Sequence, residues 1–278
     1  MSSFTINPED CNVEKNIELV KSLVNAYMEG KPEEYIAGCH EDFSGDILSG
    51  IVPSGDSIRG KAQLEAMFND IGKYIEVERF QPVNWTGVEN NVYFQVDWKF
   101  KHVPTGNTVE TVANVRKVIK DGKICEKYHR VNFVDILAGV STPHSSTESN
   151  PVDTDVAKNV KLVQHLVDEF MQGRGENYLN GCAQDFKGDI LAGVMPGGEC
   201  IRGVEQLTKL FGEMEQHIKM SKFEPKHWCG VDDLVFFTVG WEFEHVQTGK
   251  KIVTEAVTCK RVRDGKICEK YHRIPKVL

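Results

Sequence analysis

The sequence predicts two copies of one α+β domain, each with three helices packed on one face of a curved antiparallel sheet. The first observation is a repeat: the ten residues 121–130, DGKICEKYHR, return as residues 264–273, so the two copies are offset by 143 positions. The same offset carries Trp85 onto Trp228 and Arg59 onto Arg202. The second observation is the order of the patterns, because helical periodicity comes first in each copy and strand alternation follows. A repeat of this length indicates a duplicated domain.

Composition bounds the class of protein. A chain of 278 residues has room for about two domains, and each repeat of about 120 residues can bury a core of its own. The net charge is −8, and Lys and Arg are scattered, so we expect neither a nucleic-acid partner nor a membrane partner. No apolar run of membrane-spanning length and no signal-peptide pattern is seen. We therefore expect a soluble, cytoplasmic protein, and the alternative is a removed organelle-targeting extension.

The eight cysteines do not follow the repeat. Two pairs are equivalent, Cys39 with Cys182 and Cys125 with Cys268, whereas the other four have no cysteine at the equivalent position. A duplicated disulfide framework would have been copied whole, and no C-x-x-C spacing suggests a metal site. We expect reduced, mostly buried thiols and no metal.

The helices come first in each copy. Apolar spacing predicts a first helix over residues 16–30 and a second, shorter helix after Pro32. Residues 43–48 are predicted to form a short strand or turn, and the third helix is expected over residues 61–75.

Four strands follow in an antiparallel meander, predicted at residues 77–85, 92–103, 108–120 and 123–133. Asp121-Gly122 is a favoured type I′ hairpin turn between the last two. Alternation in the second strand gives its inward face. The inward residues that we predict to bind a ligand are Trp98, Phe100 and His102, with Trp241, Phe243 and His245 in the second copy.

A polar segment rich in Ser and Pro separates the copies. We expect a first domain over residues 1–140, a linker over residues 141–155 and a second domain over residues 156–278. A fused pair of sheet-forming domains would associate at high effective concentration. We therefore predict an intramolecular pseudo-dimer, and leave open a higher oligomer.

The hairpin turn also predicts the facing of the last strand. If the register continues without a break, Ala113 lies opposite Arg130, and its small apolar side chain marks the inward face. On that register, Lys127 and His129 point away from the cavity. The residues predicted to lie in or beside it are Glu126, Tyr128 and Arg130, with Glu269, Tyr271 and Arg273 in the second copy. The same register places Lys117 opposite Glu126, and Lys260 opposite Glu269. A carboxylate beside an ammonium group and a Tyr hydroxyl could polarise a carbonyl or move a proton; the alternative is that each Lys and Glu form a structural ion pair.

The order of elements resembles the NTF2-like superfamily, and most closely its SnoaL-like branch. The resemblance rests on Ile58-Arg59-Gly60 before the third helix, Thr105-Gly106 between strands and Asp121-Gly122-Lys123-Ile124 before the last strand, all repeated in the second copy. It covers both repeats nearly end to end. It implies a cone-shaped domain with a pocket between the helices and the concave face of the sheet. The superfamily includes isomerases, cyclases, dehydratases, epoxide hydrolases, a metal-free carbonic anhydrase class and non-catalytic modules.

The resemblance implies that Asp46 and Asp189 occupy the place of the general base of ketosteroid isomerase-like members. The alternative is that each Asp caps a turn after a glycine. The oxyanion-stabilising Tyr of those isomerases is replaced by Leu23 and Leu166, which argues against steroid isomerisation by that mechanism. The resemblance also implies a His-His-Ser-Ser ending for the metal-free carbonic anhydrase class, and residues 128–131 are instead Tyr-His-Arg-Val.

These observations predict a SnoaL-like enzyme that performs acid/base chemistry without a cofactor, of isomerase, cyclase or dehydratase type, on a small apolar carbonyl compound. Asp46 and Asp189 would be the bases, and Tyr128 with Arg130, and Tyr271 with Arg273, would stabilise the oxyanion. One alternative is a non-catalytic module that binds a hydrophobic ligand or a protein. A further alternative is carbonic anhydrase-like activity. Divergence such as Asn84 against His227 predicts that the two halves are no longer equivalent.

Overall fold

The computed structural model describes residues 8–140 and 154–278. Residues 141–153, most of the predicted linker, lie outside the described residues. The helices of the first domain are α1 (Val13–Met28), α2 (Pro32–Ala37), α3 (Gly60–Asp70) and α4 (Phe133–Ala138). Asn12 caps α1, since its side chain accepts a hydrogen bond from the Lys15 amide. No helix in the described ranges is long and apolar enough to cross a membrane.

The first sheet has six strands in the order β2-β1-β6-β5-β4-β3. They are β1 (Cys39–Ile47), β2 (Ile58–Arg59), β3 (Ile75–Val88), β4 (Asn91–His102), β5 (Thr108–Lys120) and β6 (Lys123–Arg130). Strand β1 runs parallel to β6, and the other pairs are antiparallel. Asp121 and Gly122 have φ of 51° and 67°, as the predicted type I′ turn requires. The last strand ends at Arg130, three residues earlier than predicted, and the chain then forms α4.

The second domain repeats this topology, with the strand order β8-β7-β12-β11-β10-β9. Its helices are α5 (Val156–Met171), α6 (Gly175–Asn180) and α7 (Val204–His217). Its strands are β7 (Cys182–Ile190), β8 (Ile201–Arg202), β9 (Ile218–Val231), β10 (Leu234–His245), β11 (Lys250–Arg263) and β12 (Lys266–Arg273). Helix α7 has 14 residues, whereas its counterpart α3 has 11 and ends in a short 3-10 turn. The predicted α+β pair of domains is confirmed.

Each sheet buries both of its faces. On one face of β4, Phe94, Trp98 and Phe100 pack under the helices, as the alternation predicts. On the other face, Tyr93 packs against Phe236 of the second sheet, with ring centroids 5.8 Å apart. A surface that a lone domain would leave to water is thus covered by the other copy, and the predicted packing of the two repeats on each other is confirmed.

The register of the last hairpin differs from the prediction. Ile119 lies opposite Ile124 as expected, but the next residue of β5, Val118, lies opposite Glu126, so Cys125 is the extra residue of a β-bulge. The same shift occurs in the second domain, between β11 and β12. A slip of one residue exchanges the two faces of a strand. The predicted cavity-facing orientation is therefore wrong for Glu126, Tyr128 and Arg130, and for Glu269, Tyr271 and Arg273.

No disulfide joins any of the eight cysteines, all of which lie in the described ranges, and five are buried. Burial raises the pKa of Cys39 to about 11, so this thiol is neutral near pH 7. Cys39 lies at the start of β1, close to the first-domain cavity described next.

Candidate active site

A cavity of about 300 Å³ lies between the helices and the concave face of the first sheet. Its wall is mostly apolar. Its aromatic side chains are Tyr27, Tyr35, Phe68, Phe80, Phe94 and Trp98. The volume is at the lower end of the roughly 300–1,000 Å³ typical of ligand sites, so the cavity suits a small molecule.

The charged and basic lining residues come from two neighbouring strands. Lys117 of β5 lies directly opposite Lys127 of β6, and His129 follows two residues later on the same face as Lys127. The Lys117 side chain is 1% exposed. The Nζ atoms of Lys117 and Lys127 lie 4.5 and 5.0 Å from the centroid of the Tyr35 ring, as in a cation–π contact. Among the described residues, no Asp or Glu lines this cavity.

Burial without a counter-ion changes the protonation of these groups. The pKa of Lys117 lies well below its usual value, first because of desolvation and then because of the neighbouring Lys127 charge. Desolvation lowers the pKa of Lys127 to about 8. The pKa of His129 is also held well below its ordinary value by burial and by the two lysines. Near pH 7 the imidazole is therefore neutral, Lys127 is still mostly protonated, and Lys117 holds its proton far less tightly than an ordinary lysine.

Several polar atoms around the cavity lack hydrogen-bond partners within the described chain. They are Lys117 Nζ, His129 Nε2, Tyr35 Oη and Trp98 Nε1. Buried polar groups are normally paired, and each unpaired one costs about 1–3 kcal/mol. A ligand oxygen in the cavity would supply the missing partner.

A close approach between strands fixes the position of Lys127. A Cβ atom on Gly45 would lie 2.0 Å from the Lys127 carbonyl oxygen, so β1 can pair with β6 at this point only through glycine. The equivalent distance from Gly188 to the Lys270 oxygen is 1.9 Å. This contact explains why Gly45 is kept in both copies.

The second domain has the same basic residues but almost no cavity. Lys260, Lys270 and His272 occupy the equivalent positions, yet the space beside them is about 20 Å³. Phe170 and Phe223 meet edge to face with ring centroids 5.8 Å apart, and close the space. Two of the equivalent lining residues differ between the domains: the first has Tyr27 where the second has Phe170, and Ile71 where the second has Met214.

The carboxylates predicted as bases lie elsewhere. Asp46 is 4% exposed and accepts two hydrogen bonds from Arg130, at 2.9 and 2.7 Å. Asp189 and Arg273 form the same bidentate pair. Neither Asp is among the residues that line the two cavities described above.

The other predicted site residues are divided between the two faces of each sheet. Glu126 accepts a hydrogen bond from Tyr128 at 3.0 Å, and Glu269 one from Tyr271 at 3.2 Å, both on the side of the sheet that meets the other domain. Of the residues predicted to bind a ligand, Trp98 and Trp241 line their cavities. The remaining four lie outside both linings: Phe100, Phe243, His102 and His245. The two histidines are within hydrogen-bonding distance of Thr105 and Thr248.

Sequence reasoning missed Lys127 and His129 as cavity residues, and it placed Lys117 on the cavity face but opposite Glu126. A signal existed, because the KYH of the repeated decapeptide and the Lys at position 117 recur in the second copy. Without the bulge at Cys125, however, the pattern assigns Lys127 and His129 to the opposite face.

Comparison with known proteins gives the family. The profile of the SnoaL-like domain matches twice, over residues 20–127 and 163–270. No match to a curated protein was found.

Similar solved structures each cover less than half of this chain and most of their own length. An NTF2-like protein from Burkholderia xenovorans LB400 is 19% identical, covers 48% of this chain and 99% of its own, and has a TM-score of 0.42. TerC, co-crystallised with polyporic acid, is 17% identical over 42% of this chain and 91% of its own, with a TM-score of 0.38. An LEH-like epoxide hydrolase from M. tuberculosis is 10% identical, covers 43% of this chain and 84% of its own, and has a TM-score of 0.36.

Both profile matches span one complete set of helices and strands, from the first helix into the last strand of each repeat. The chain therefore belongs to the SnoaL-like family and carries its domain twice.

Proposed function

We propose that the first domain performs acid/base chemistry on a small, mostly apolar carbonyl compound, of isomerase, cyclase or dehydratase type. The observation that carries this proposal is the buried pair Lys117 and Lys127. The pair faces an apolar cavity of about 300 Å³ whose described wall holds no carboxylate. A carbonyl or enolate oxygen is the ligand group that such a pair would accept.

The different pKa values of the two lysines suggest different roles. Lys117 holds its proton far less tightly than an ordinary lysine, and its neutral form can take a proton from the carbon next to the carbonyl. Lys127, with a pKa of about 8, is mostly protonated near pH 7 and can stabilise the resulting enolate oxygen. His129 is neutral and can carry the proton between substrate positions. Together they provide a base, an oxyanion donor and a proton carrier.

Exchange of α-hydrogen for deuterium tests this chemistry directly. Cyclohexanone in deuterium oxide, followed by NMR, should lose its α-proton signal faster with the wild-type protein than with buffer. Lys117→Met should lower the enzymatic rate at least about 100-fold, since general base catalysis contributes about 10²–10⁴-fold. The matched variant Lys260→Met removes the equivalent amine beside the closed space and should leave the rate unchanged. Equal losses in both variants would sink the proposal.

The predicted bases Asp46 and Asp189 remain an alternative assignment within the same chemistry. If they act, Lys117→Met should retain full exchange and Asp46→Asn should lose it. Near-UV circular dichroism of each variant separates a lost reaction from a lost fold.

A second candidate function is a non-catalytic module for a hydrophobic anion. The second domain favours this function, because it keeps Lys260 at the position equivalent to Lys117, 4.6 Å from the Tyr178 ring, next to a space too small for a ligand. A buried lysine at this position is therefore compatible with the absence of catalysis. This function predicts that the wild-type protein binds 2-naphthoate and leaves the exchange rate of cyclohexanone at that of buffer.

A further inference from the structure

We propose that Lys117 attacks the carbonyl carbon and forms an imine with the compound held in the first-domain cavity. This proposal rests on the proposed function and adds a covalent step to it. The substrate class would then be an aldehyde or ketone, and carboxylic acids and esters would be excluded.

The first argument is the state of the amine. Lys117 Nζ is buried without a hydrogen-bond partner in the described chain, and its neighbours are the faces of Tyr35, at 4.5 Å, and Phe94, at 5.6 Å. An aromatic ring face donates no hydrogen bond to nitrogen, so the lone pair of a neutral amine at this place stays available for attack.

The second argument is the set of charges that faces the amine. Lys127 adds positive charge from the opposite strand, and Cys39, the other group that acts on Lys117, is a neutral thiol near pH 7. His129, Tyr35 and Tyr27 are the other titratable side chains in the described wall of the cavity, and burial raises the pKa of Tyr27. Tyr35 has its pKa raised well above the usual value by burial, so it is also neutral. A desolvated lysine beside a second cation is the known way to keep an amine nucleophilic near neutral pH.

The step balances with the groups present. The nitrogen of Lys117 forms a bond to the carbonyl carbon, and the π electrons move to oxygen, which takes a proton from Lys127. His129 takes one proton from the attached nitrogen and returns it to the hydroxyl group. The nitrogen lone pair then forms the carbon–nitrogen double bond as the carbon–oxygen bond breaks, water leaves and the protonated imine remains, with Lys127 now neutral. No oxidant or reductant is needed, and the imine makes the neighbouring carbon–hydrogen bond more acidic.

The second domain supplies an internal control for burial alone. Lys260 is as deeply buried as Lys117, at 1% exposure each, and its pKa is lowered for the same reasons. Beside it, however, the space is about 20 Å³, too small for a ketone to reach the amine. Reactivity at Lys117 without reactivity at Lys260 would therefore come from the cavity.

Borohydride trapping tests the proposal on the wild-type protein. The protein is incubated with cyclohexanone, reduced with sodium borohydride, digested and mapped by mass spectrometry. We expect one cyclohexyl group per chain, on Lys117, and none on Lys260. Prior addition of 2-naphthoate should suppress it. An adduct on Lys127 instead, on exposed lysines only, or equally on Lys117 and Lys260 would overturn the proposal.

A second measurement separates this proposal from the proposed function. Imine formation expels the carbonyl oxygen. In oxygen-18 water, cyclohexanone incubated with the protein should therefore gain the label faster than cyclohexanone in buffer alone. Simple enolisation does not exchange that oxygen. Deuterium exchange at carbon without oxygen exchange would overturn the imine and leave the acid/base chemistry intact. The absence of both exchanges would overturn both.

Discussion

Arg130 and Arg273 each donate a hydrogen bond from Nη1 to the main-chain carbonyl oxygen of the other, at 3.1 and 3.3 Å. The two residues occupy equivalent positions in the two copies, so the contact is reciprocal. Each guanidinium group also holds the carboxylate of its own domain, Asp46 or Asp189. The residues predicted as catalytic thus form the centre of the contact between the two sheets.

This arrangement predicts that Asp46→Asn destabilises the fold. The variant leaves the Arg130 guanidinium, 3% exposed, without its buried counter-ion. Removing one partner of a buried ion pair costs about 3–5 kcal/mol. Urea unfolding should show this loss, and Asp189→Asn should behave alike. Asp70→Asn breaks an exposed pair with Lys73 and serves as the control, with an unchanged midpoint expected. An Asp46→Asn variant as stable as the wild type would show that the pair does not hold the domains.

A second prediction concerns stability against pH. The pKa of Lys127 is about 8 in the folded protein and near its usual value of roughly 10.5 when unfolded. Between these values the unfolded chain binds more protons, so the free energy of unfolding rises with pH. From pH 7 to pH 9 the wild type should gain roughly 1 kcal/mol relative to Lys127→Met. Urea titrations at both pH values measure the difference, and a loss with rising pH would contradict the assigned burial.

The sequence was sufficient for the fold because the signals were local or repeated. Asp121-Gly122 specifies its turn by backbone preference alone, and the repeat defines the domains without knowledge of any contact. The site depended on one bulge. Cys125 adds one residue to β6, and no Gly or Pro marks the place, so regular alternation assigns Lys127 to the wrong face. A lysine buried without a counter-charge is costly, and a functional cavity is where that general rule fails.

A third prediction is the pH profile of deuterium exchange. Lys127 must be protonated to stabilise the enolate, so the rate should fall as the pH rises through about 8. Lys117 and His129 must be neutral, and their pKa values lie well below the ordinary ones, so the acidic fall of the rate should lie at lower pH than an ordinary lysine would give. Rates from pH 5 to 10 measure the profile. In Lys127→Met the alkaline fall should disappear together with most of the activity; a profile with the same fall in this variant would remove Lys127 from the mechanism.

The fourth prediction is that each chain has one ligand site, in the first domain. Substitutions should be able to open a site in the second domain or weaken the one in the first. Titration calorimetry with 2-naphthoate should give one equivalent for the wild type, because the second cavity is about 20 Å³ against about 300 Å³ in the first. Phe170→Ala removes a ring that meets Phe223 and should open a second site, at a cost in unfolding free energy of about 3 kcal/mol.

The reciprocal variant makes this prediction independent of whether Phe170→Ala folds. Tyr27→Phe with Ile71→Met places the side chains of the second domain around the first cavity. Since both residues keep their apolar contacts, the fold should remain, and affinity for 2-naphthoate should fall at least tenfold. The matched control is Leu19→Met, a change on α1 at a residue that packs against the core and does not line the cavity. Two equivalent sites in the wild type would show that the second domain opens in solution, and the difference between the halves would then not arise from these side chains.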